Sequence, residues 1–247
     1  MAAKPPRRTP QRIIEAARAL YNRFGEPNIS TTRIAAELGI SPGNLHYHFA
    51  TKNALLDALL ADDLAALDTV LAQAPAVRHV DEAWQCVQAQ LALAHQYRFL
   101  LRDLNELLSR NRQLEQRVQA MMARQTAAAR ALLEGLVHGG DAQIAPAEID
   151  DLATALVLVL NGWHNFAFAR APRLALEASQ APQTLAEGVG RAMGLLAPCL
   201  TPTARGTLAR LRQAAESGPE GPPLATPGPA AAMAPATPPA ARSLATG

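Results

Sequence analysis

The chain has 247 residues, of which 49% are apolar and only 4% aromatic, with a formal net charge of +2. Alanine and leucine dominate while valine, isoleucine and threonine are sparse, which favours helices over sheets. Because its two cysteines, Cys86 and Cys199, form no CxxC pair, a disulfide scaffold and a zinc motif are excluded, and a reducing compartment is indicated.

Positive charge is concentrated at the start of the chain. Residues 1–52 carry eight Lys and Arg against three Asp and Glu, whereas residues 53–247 carry fifteen against eighteen. A basic segment joined to a mildly acidic one indicates a polyanionic partner for the basic segment. No apolar stretch follows the charges of residues 1–8, so no signal peptide is predicted and we expect a cytoplasmic protein.

Three helices are predicted at the start of the chain, over residues 9–24, 31–38 and 42–49. Each has Ser or Thr as a candidate N-cap, and the first and third have proline in the first turn. Gly39 ends the second helix and opens a tight turn. Two short helices joined in this way are typical of a helix-turn-helix DNA reader, whose second helix enters the major groove.

A larger helical region is predicted next, over residues 51–216. Its helices are expected at about 52–73, 79–95, 97–109, 111–138, 146–168, 183–197 and 203–216. The remaining chain, residues 217–247, is Pro, Ala and Gly with no aromatic residue, so it cannot bury enough surface to offset the cost of ordering and is predicted to be disordered. The predicted fold is all-α, with an N-terminal helix-turn-helix domain at 1–50 and a larger helical domain at 51–216.

One segment of the larger domain, residues 152–169, carries no charge. A membrane span needs about 20 apolar residues. This run is shorter than that and contains Asn161, His164 and Asn165. We therefore predict a buried helix and no membrane partner.

The third helix separates an apolar side from a polar one. At about 100° per residue, Leu45 and Phe49 fall together on the side that faces the core. Glycine lets a backbone approach DNA, asparagine suits base edges, and histidine and tyrosine can bond to bases or phosphates. The outward side carries Gly43, Asn44, His46 and Tyr47.

Groups around this outward side suit phosphate oxygens. The N-termini of the second and third helices present free N–H groups to anions, and Thr31 or Thr32 adds a hydroxyl. Lys52 adds a charge at the start of the fourth helix. Such contacts position a protein on DNA, whereas the outward side of the third helix would specify sequence. Further positive charge comes from Lys4, Arg7, Arg8, Arg12 and Arg33.

Other interpretations of the same segment stay open at this point. Two short helices around a glycine occur in many proteins that do not bind DNA. His46 and His48 do not face each other, because residues i and i+2 lie apart on a helix, so no metal site is predicted, and no cofactor either. No nucleophile–base pair, carboxylate pair or phosphate loop stands at a persuasive spacing, so an enzyme is not predicted.

Residues 9–60 resemble the DNA-binding domain of the TetR family of bacterial repressors. The resemblance is carried by residues 16–25, 31–35 and 38–49 and by Lys52 with Leu55-Leu56. His46 stands where many members have tyrosine. The resemblance implies that double-stranded DNA with a palindromic operator is the partner. It also implies that Thr32, Asn44, His46 and Tyr47 approach bases, while Thr31, Arg33, His48 and Lys52 hold phosphates.

The same resemblance implies a homodimer, since one helix-turn-helix contacts about one half-site and a two-fold dimer reads two. The last two large helices, at about 147–168 and 183–197, would form a four-helix interface between subunits. Three glycines would permit close approach of the second of these helices, namely Gly188, Gly190 and Gly194.

Repressors of this family usually release DNA when a small molecule binds in the helical body, so we predict a small apolar or amphipathic effector in a mostly apolar pocket. The fourth helix joins the two domains and would transmit the change. The alternative is a regulator of the same fold without a small-molecule ligand, controlled by a protein partner or constitutive. The alternative for Met121 and Met122 is ordinary core or surface packing, and the alternative for Trp163 and Phe166 is packing in the dimer interface. Candidate pocket residues are Tyr97, Phe99, Arg102, Asn105, Met121, Met122, Trp163, His164 and Phe166.

Overall fold

The computed structural model describes residues 9–217, and within that range the chain forms eleven α-helices and no β-strand. We call residues 9–50 the head and residues 51–217 the body. The helices are α1 (Thr9–Phe24), α2 (Thr31–Glu37), α3 (Pro42–His48), α4 (Lys52–Leu71), α5 (Val80–Gln96), α6 (Arg98–Arg102), α7 (Leu104–Arg110), α8 (Arg112–His138), α9 (Ile149–Arg170), α10 (Ala181–Gly194) and α11 (Pro202–Glu216).

The predicted all-α fold is confirmed, and the helix positions follow the prediction closely with one exception. The single helix expected over residues 97–109 is wrong, because the chain divides at Asp103 into α6 and α7. The Asp103 carboxylate accepts a hydrogen bond from the backbone N–H of Glu26 at 2.9 Å, so the residue between α6 and α7 contacts the head. The predicted disordered tail beyond Ser217 and the basic residues Lys4, Arg7 and Arg8 lie outside the described residues.

Side-chain caps explain where the short helices of the head begin. The hydroxyls of Ser30, Ser41 and Thr51 each accept a hydrogen bond from the backbone N–H three residues later, at 3.2, 3.1 and 3.0 Å. Each cap satisfies one of the four N–H groups that a helix start leaves without a partner. The turn before α3 is closed by Gly39, whose φ of +64° is a left-handed conformation that favours glycine.

The head shares its hydrophobic core with the near side of the body. Ile13, Ile34 and Leu45 bring α1, α2 and α3 together and are almost fully buried. The same core continues through α4, α6 and the first part of α8. The rings of Tyr21 in α1 and Phe99 in α6 lie 5.3 Å apart and tie the head to the body.

A second core is formed by α5, α8, α9, α10 and α11. Helices α9 and α10 approach closely within it, since a Cβ on Gly188 would lie 2.6 Å from Cδ1 of Trp163. The Trp163 indole N–H also donates to the Thr184 carbonyl at 2.7 Å. Gly188 therefore permits close packing of α9 and α10 within one chain. The other two glycines of the helix, Gly190 and Gly194, lie near Arg212 of α11.

The apolar segment of the body lies in α9. Together with the turn before it, the helix over Pro146–Arg170 is long and apolar enough to cross a membrane by composition alone, with 39% of its apolar window buried within the chain. Its buried side packs against α5, α6, α8 and α10, as expected for a core helix. Its other side exposes Leu158 and Phe166, with Gly162 between them. We call these three residues the α9 stripe.

Candidate nucleic-acid interface and body pockets

The outward side of α3 has the composition and exposure that a groove-reading helix needs. Leu45 is only 1% exposed and holds the helix on the head, whereas Tyr47 is 86% exposed. Gly43, Asn44 and His46 are also exposed. In the described part of the chain, the side chains of Asn44, His46 and Tyr47 have no hydrogen-bond partner, so their donors and acceptors are available to a ligand.

The predicted phosphate-binding residues of α2 and α3 border that surface. Thr31 and His48 are half-buried, while Thr32 and Arg33 are exposed. The Arg33 guanidinium lies 5.2 Å from the ring centre of Phe24, which holds its charge beside the start of α2. These residues are placed where they could contact the phosphates of a DNA backbone that runs along the head.

Lys52 makes contacts within the protein, with Glu26, that the sequence did not predict. Its ammonium donates to the Glu26 carbonyl at 2.7 Å and lies 3.1 Å from Glu26 Oε1. The Glu26 side chain is 2% exposed and the Lys52 side chain 27%. Since the lysine charge compensates a buried carboxylate, Lys52 helps to fix the head, and its contact with phosphate stays a prediction.

A dense set of polar contacts joins the head to α6 and α7, and we call it the head–body junction. Asn22 donates to the Gln96 carbonyl and accepts from the Phe99 backbone N–H. Arg102 donates to the carbonyl of Tyr21 at 2.8 Å. The junction consists of Asn22, Glu26, Lys52, Arg102, Asp103 and Arg110, the last of which pairs with the Glu26 carboxylate.

Sequence reasoning missed most of this junction. It assigned Lys52 to phosphate and Arg102 to a ligand pocket without finding their contacts with the head, and it gave no role to Glu26 or Asp103. One signal was present in the sequence, because an acidic residue in a Gly-Glu-Pro loop of a basic segment needs a cationic partner if it becomes buried. Its partner could not be identified, since Arg110 lies 84 residues away in the chain.

The first body pocket lies between α4, α5, α6, α8 and α9 and has an empty volume of about 340 Å³ including its mouth. The side-chain amides of Gln125 and Asn161 hydrogen-bond to each other at 3.0 and 3.3 Å on one wall. Most of the lining is aliphatic, so the pocket is amphipathic. Its polar residues are Asp63, Gln90, Tyr97, Gln125 and Asn161.

The second body pocket lies where α5, α6 and α9 meet the head, and its empty volume is about 480 Å³. The rings of His95 and His164 are 5.2 Å apart on its wall. Burial, with a smaller contribution from the nearby Arg98 guanidinium, lowers the pKa of each histidine to about 4. The Nδ1 atom of His95 is buried and has no hydrogen-bond partner among the described residues.

The predicted effector residues do not form one site. Tyr97 and Met121 line the first pocket, whereas Arg102 and His164 line the second. The remaining five predicted residues line neither of these pockets. Trp163 is packed against α10, while Asn105 and Phe166 are exposed. Of the other candidates, Phe99 is buried beside Tyr21 and Met122 is 38% exposed.

A helix-turn-helix head with an exposed polar second helix, joined to a larger helical body with internal pockets, defines a DNA-binding transcription regulator. Comparison with known families identifies the chain more closely. Residues 13–59 match the family described as bacterial regulatory proteins of the tetR family, and residues 64–208 match the TetR family described as a bacterial transcriptional repressor. The chain therefore belongs to the TetR family, as its sequence motifs predict, and this is a family of regulators and not of enzymes.

Individual relatives agree with this assignment. An HTH-type transcriptional regulator of Staphylococcus aureus (strain bovine RF122 / ET3-1) is 41% identical over 71 residues, which is 29% of this chain and 38% of the relative. The tetracycline repressor protein class A of Escherichia coli is 36% identical over 76 residues, covering 31% of this chain and 33% of the repressor. The matched segments thus span about a third of the length of these curated relatives.

The similarity to solved structures extends over most of the chain. The crystal structure of a TetR-family transcriptional regulator from Marinobacter aquaeolei VT8 superimposes with a TM-score of 0.74 at 26% identity. The match covers 84% of this chain and 98% of that one, so both the head and the body have counterparts in it.

Proposed function

We propose that this chain is a homodimeric repressor that binds a palindromic operator through α3 and leaves it when a small amphipathic molecule binds in the body. The observation that carries the proposal is the contrast within α3, where Leu45 is buried while Asn44, His46 and Tyr47 are exposed and unpartnered in the described structure. Such a helix can enter a major groove without breaking any contact inside the protein. Such a regulator would act in the cytoplasm.

Within this proposal the residues of the head divide into two roles. Base edges are contacted by Asn44, His46 and Tyr47 with support from Thr32, and Gly43 allows the backbone to come close. Phosphates are held by Thr31, Arg33 and His48. Residues 1–50 thereby read DNA, and residues 51–216 provide dimerisation and control.

The α9 stripe supports the proposed dimer. Leu158 is 68% exposed and Phe166 is 58% exposed, and they stand two turns apart on one side of an apolar helix. A second copy of α9 would cover both side chains and bring two heads into a symmetric pair. Leu158→Glu is expected to convert the dimer to a monomer in analytical ultracentrifugation, and an unchanged dimer would contradict the assigned interface.

The head–body junction supports control of DNA binding by the body. Because α6 is bonded to the head through Asn22 and Arg102, a shift of α6 moves the head directly. Residues of α6 line both body pockets. A ligand that fits only one position of α6 would therefore change the separation of the two heads. This route through α6 adds to the predicted route through α4.

Footprinting on the DNA next to the protein's own gene tests the proposal, with the full chain and a series of salt concentrations. We expect a protected near-palindrome whose affinity falls steeply as salt rises, because phosphate contacts release counterions. Protection that covers a single half-site would contradict the dimer, and the absence of protection at low salt would contradict DNA binding at this locus.

A further inference from the structure

Asp63 is the unexplained polar group of the first body pocket. It lies in the middle of α4, it is 7% exposed, and its carboxylate has no hydrogen-bond or ion-pair partner among the described residues. Burial raises its pKa to about 7, an effect that the positive charge of Arg18 partly offsets. An unpaired carboxyl group in an apolar region costs free energy unless something compensates it.

The surroundings of Asp63 in this pocket are mainly aliphatic. Leu67, Leu93 and Leu100 give the pocket an aliphatic wall, and Met121 adds an adaptable one. Gln90 is buried in the same pocket, and its side-chain amide nitrogen donates to the Cys86 sulfur at 3.7 Å, which leaves the amide oxygen free to accept a hydrogen bond. The pocket therefore presents acceptors at one place and hydrocarbon elsewhere.

We propose that the first body pocket binds an amphipathic primary amine whose ammonium group pairs with the Asp63 carboxylate while its hydrocarbon tail lies along the leucines. A cation pairs the buried carboxylate and gains charge-assisted hydrogen bonds. An anionic ligand would be repelled at the same place, and a neutral ligand would leave the carboxylate uncompensated. This inference deepens the proposed effector control and names the chemical class of the effector.

The same site has a direct connection to the head. Arg18 belongs to α1, and its guanidinium donates to the Tyr97 hydroxyl at 3.2 Å and lies 5.3 Å from the centre of that ring. Tyr97 lines the pocket, and Arg18 is attracted by Asp63. An ammonium group on Asp63 would cancel that attraction and repel Arg18. Amine binding would thereby weaken one bond that holds α1 on the body.

The test uses the full chain and three matched ligand series, n-alkylamines from butylamine to decylamine and the alkanols and alkanoates of the same lengths. Affinity is measured by isothermal titration calorimetry and by the shift in melting temperature. Asp63→Asn keeps the side-chain shape and removes the charge. Asp62→Asn, at an exposed neighbouring position, is the matched control.

We expect at least one amine to bind about tenfold or more tightly than the alkanol of its length, and the alkanoate to bind more weakly still. Asp63→Asn should abolish this preference and Asp62→Asn should keep it. Equal affinity for the three head groups overturns the proposal, as does a series in which no amine binds at millimolar concentration, or a preference that survives in Asp63→Asn. The comparison within the wild-type protein remains decisive even if a variant fails to fold.

Operator binding by the ligand-free protein separates this inference from the function on which its regulatory role rests. A failed footprint together with Asp63-dependent amine binding would overturn the proposed regulator and support the amine site. A footprint that persists in saturating amine would overturn the link through Arg18.

Discussion

Polar side chains have opposite environments on the outward side of α3 and in the interior around α4 and α6. On α3, Asn44, His46 and Tyr47 are exposed and need no partner in the protein, because water satisfies them until another ligand arrives. In the interior, Glu26 is paired with two cations, whereas Asp63 is buried without a partner. Changes on α3 should therefore alter binding with little effect on folding. Changes in the interior should alter stability first and binding through it.

The largest effect is expected for Asp63, where the comparison can be sharpened by pH. Because the folded protein holds the Asp63 pKa near 7, above its ordinary value of 3.8, this group contributes stability that is fully present below pH 3.8 and is lost as pH rises through 7. The loss amounts to up to about 4 kcal/mol. Asp63→Asn removes this loss, so the variant should be more stable than the wild type at pH 8 in urea denaturation. If the variant is less stable than the wild type at pH 8, the Asp63 carboxylate is not uncompensated in the folded protein.

His164 should show the opposite pH dependence. Its folded pKa of about 4 lies below the ordinary 6.5, so its contribution is present above pH 6.5 and is lost as pH falls through 4, by up to about 3 kcal/mol. His164→Gln should flatten the acid side of the stability curve, as followed by circular dichroism. His138→Gln, at an exposed site, is the control and should follow the wild type. If the two variants lose stability identically as the pH falls, burial of His164 does not determine the stability of the protein in acid.

Glu26→Gln tests whether the junction holds the head in place. The substitution leaves Lys52 and Arg110 without their shared carboxylate, and we expect a loss of about 2 to 3 kcal/mol in the free energy of unfolding. Glu37→Gln removes an exposed carboxylate of the head and should cost less than about 0.5 kcal/mol. Equal losses in the two variants would show that the junction is dispensable.

The smallest effects on folding and the clearest on recognition are expected on the head surface. Asn44→Ala should cost about 1 to 2 kcal/mol in operator binding and change which base is preferred at one position of each half-site. Arg33→Ala should weaken binding to all sequences alike and reduce the salt dependence by about one counterion per subunit. Binding to a panel of operator variants at two salt concentrations distinguishes them, and matching effects on every sequence would refute the division of roles.

Local patterns predicted the head well. The caps Ser30, Ser41 and Thr51 act within three residues of themselves, so their hydrogen bonds can be read from the sequence. The apolar and polar sides of α3 follow from helical periodicity, and the exposure of Tyr47 agrees with that expectation.

The contacts and pockets of the body could not be predicted from the sequence, because they join distant parts of the chain. Asp103 bonds to Glu26 across 77 residues and lies where a segment whose local pattern favours one continuous helix divides into α6 and α7. Trp163 and His164 are adjacent in sequence, yet one packs against Gly188 while the other lines a pocket with His95. Which of two neighbouring side chains meets a cavity depends on the helices packed around α9, and no spacing within α9 encodes that.

The tilted ring contact between Tyr21 and Phe99 has a practical consequence for protein engineering. Since part of the interior that supports α1 comes from α4, α6 and α8, a fragment ending at residue 50 would expose Tyr21 and Ile13 to water and lose the cations around Glu26. Swapping recognition specificity between repressors should therefore succeed by grafting individual α3 side chains onto an intact scaffold, and fail when the whole N-terminal fragment is transplanted without the helices that support it.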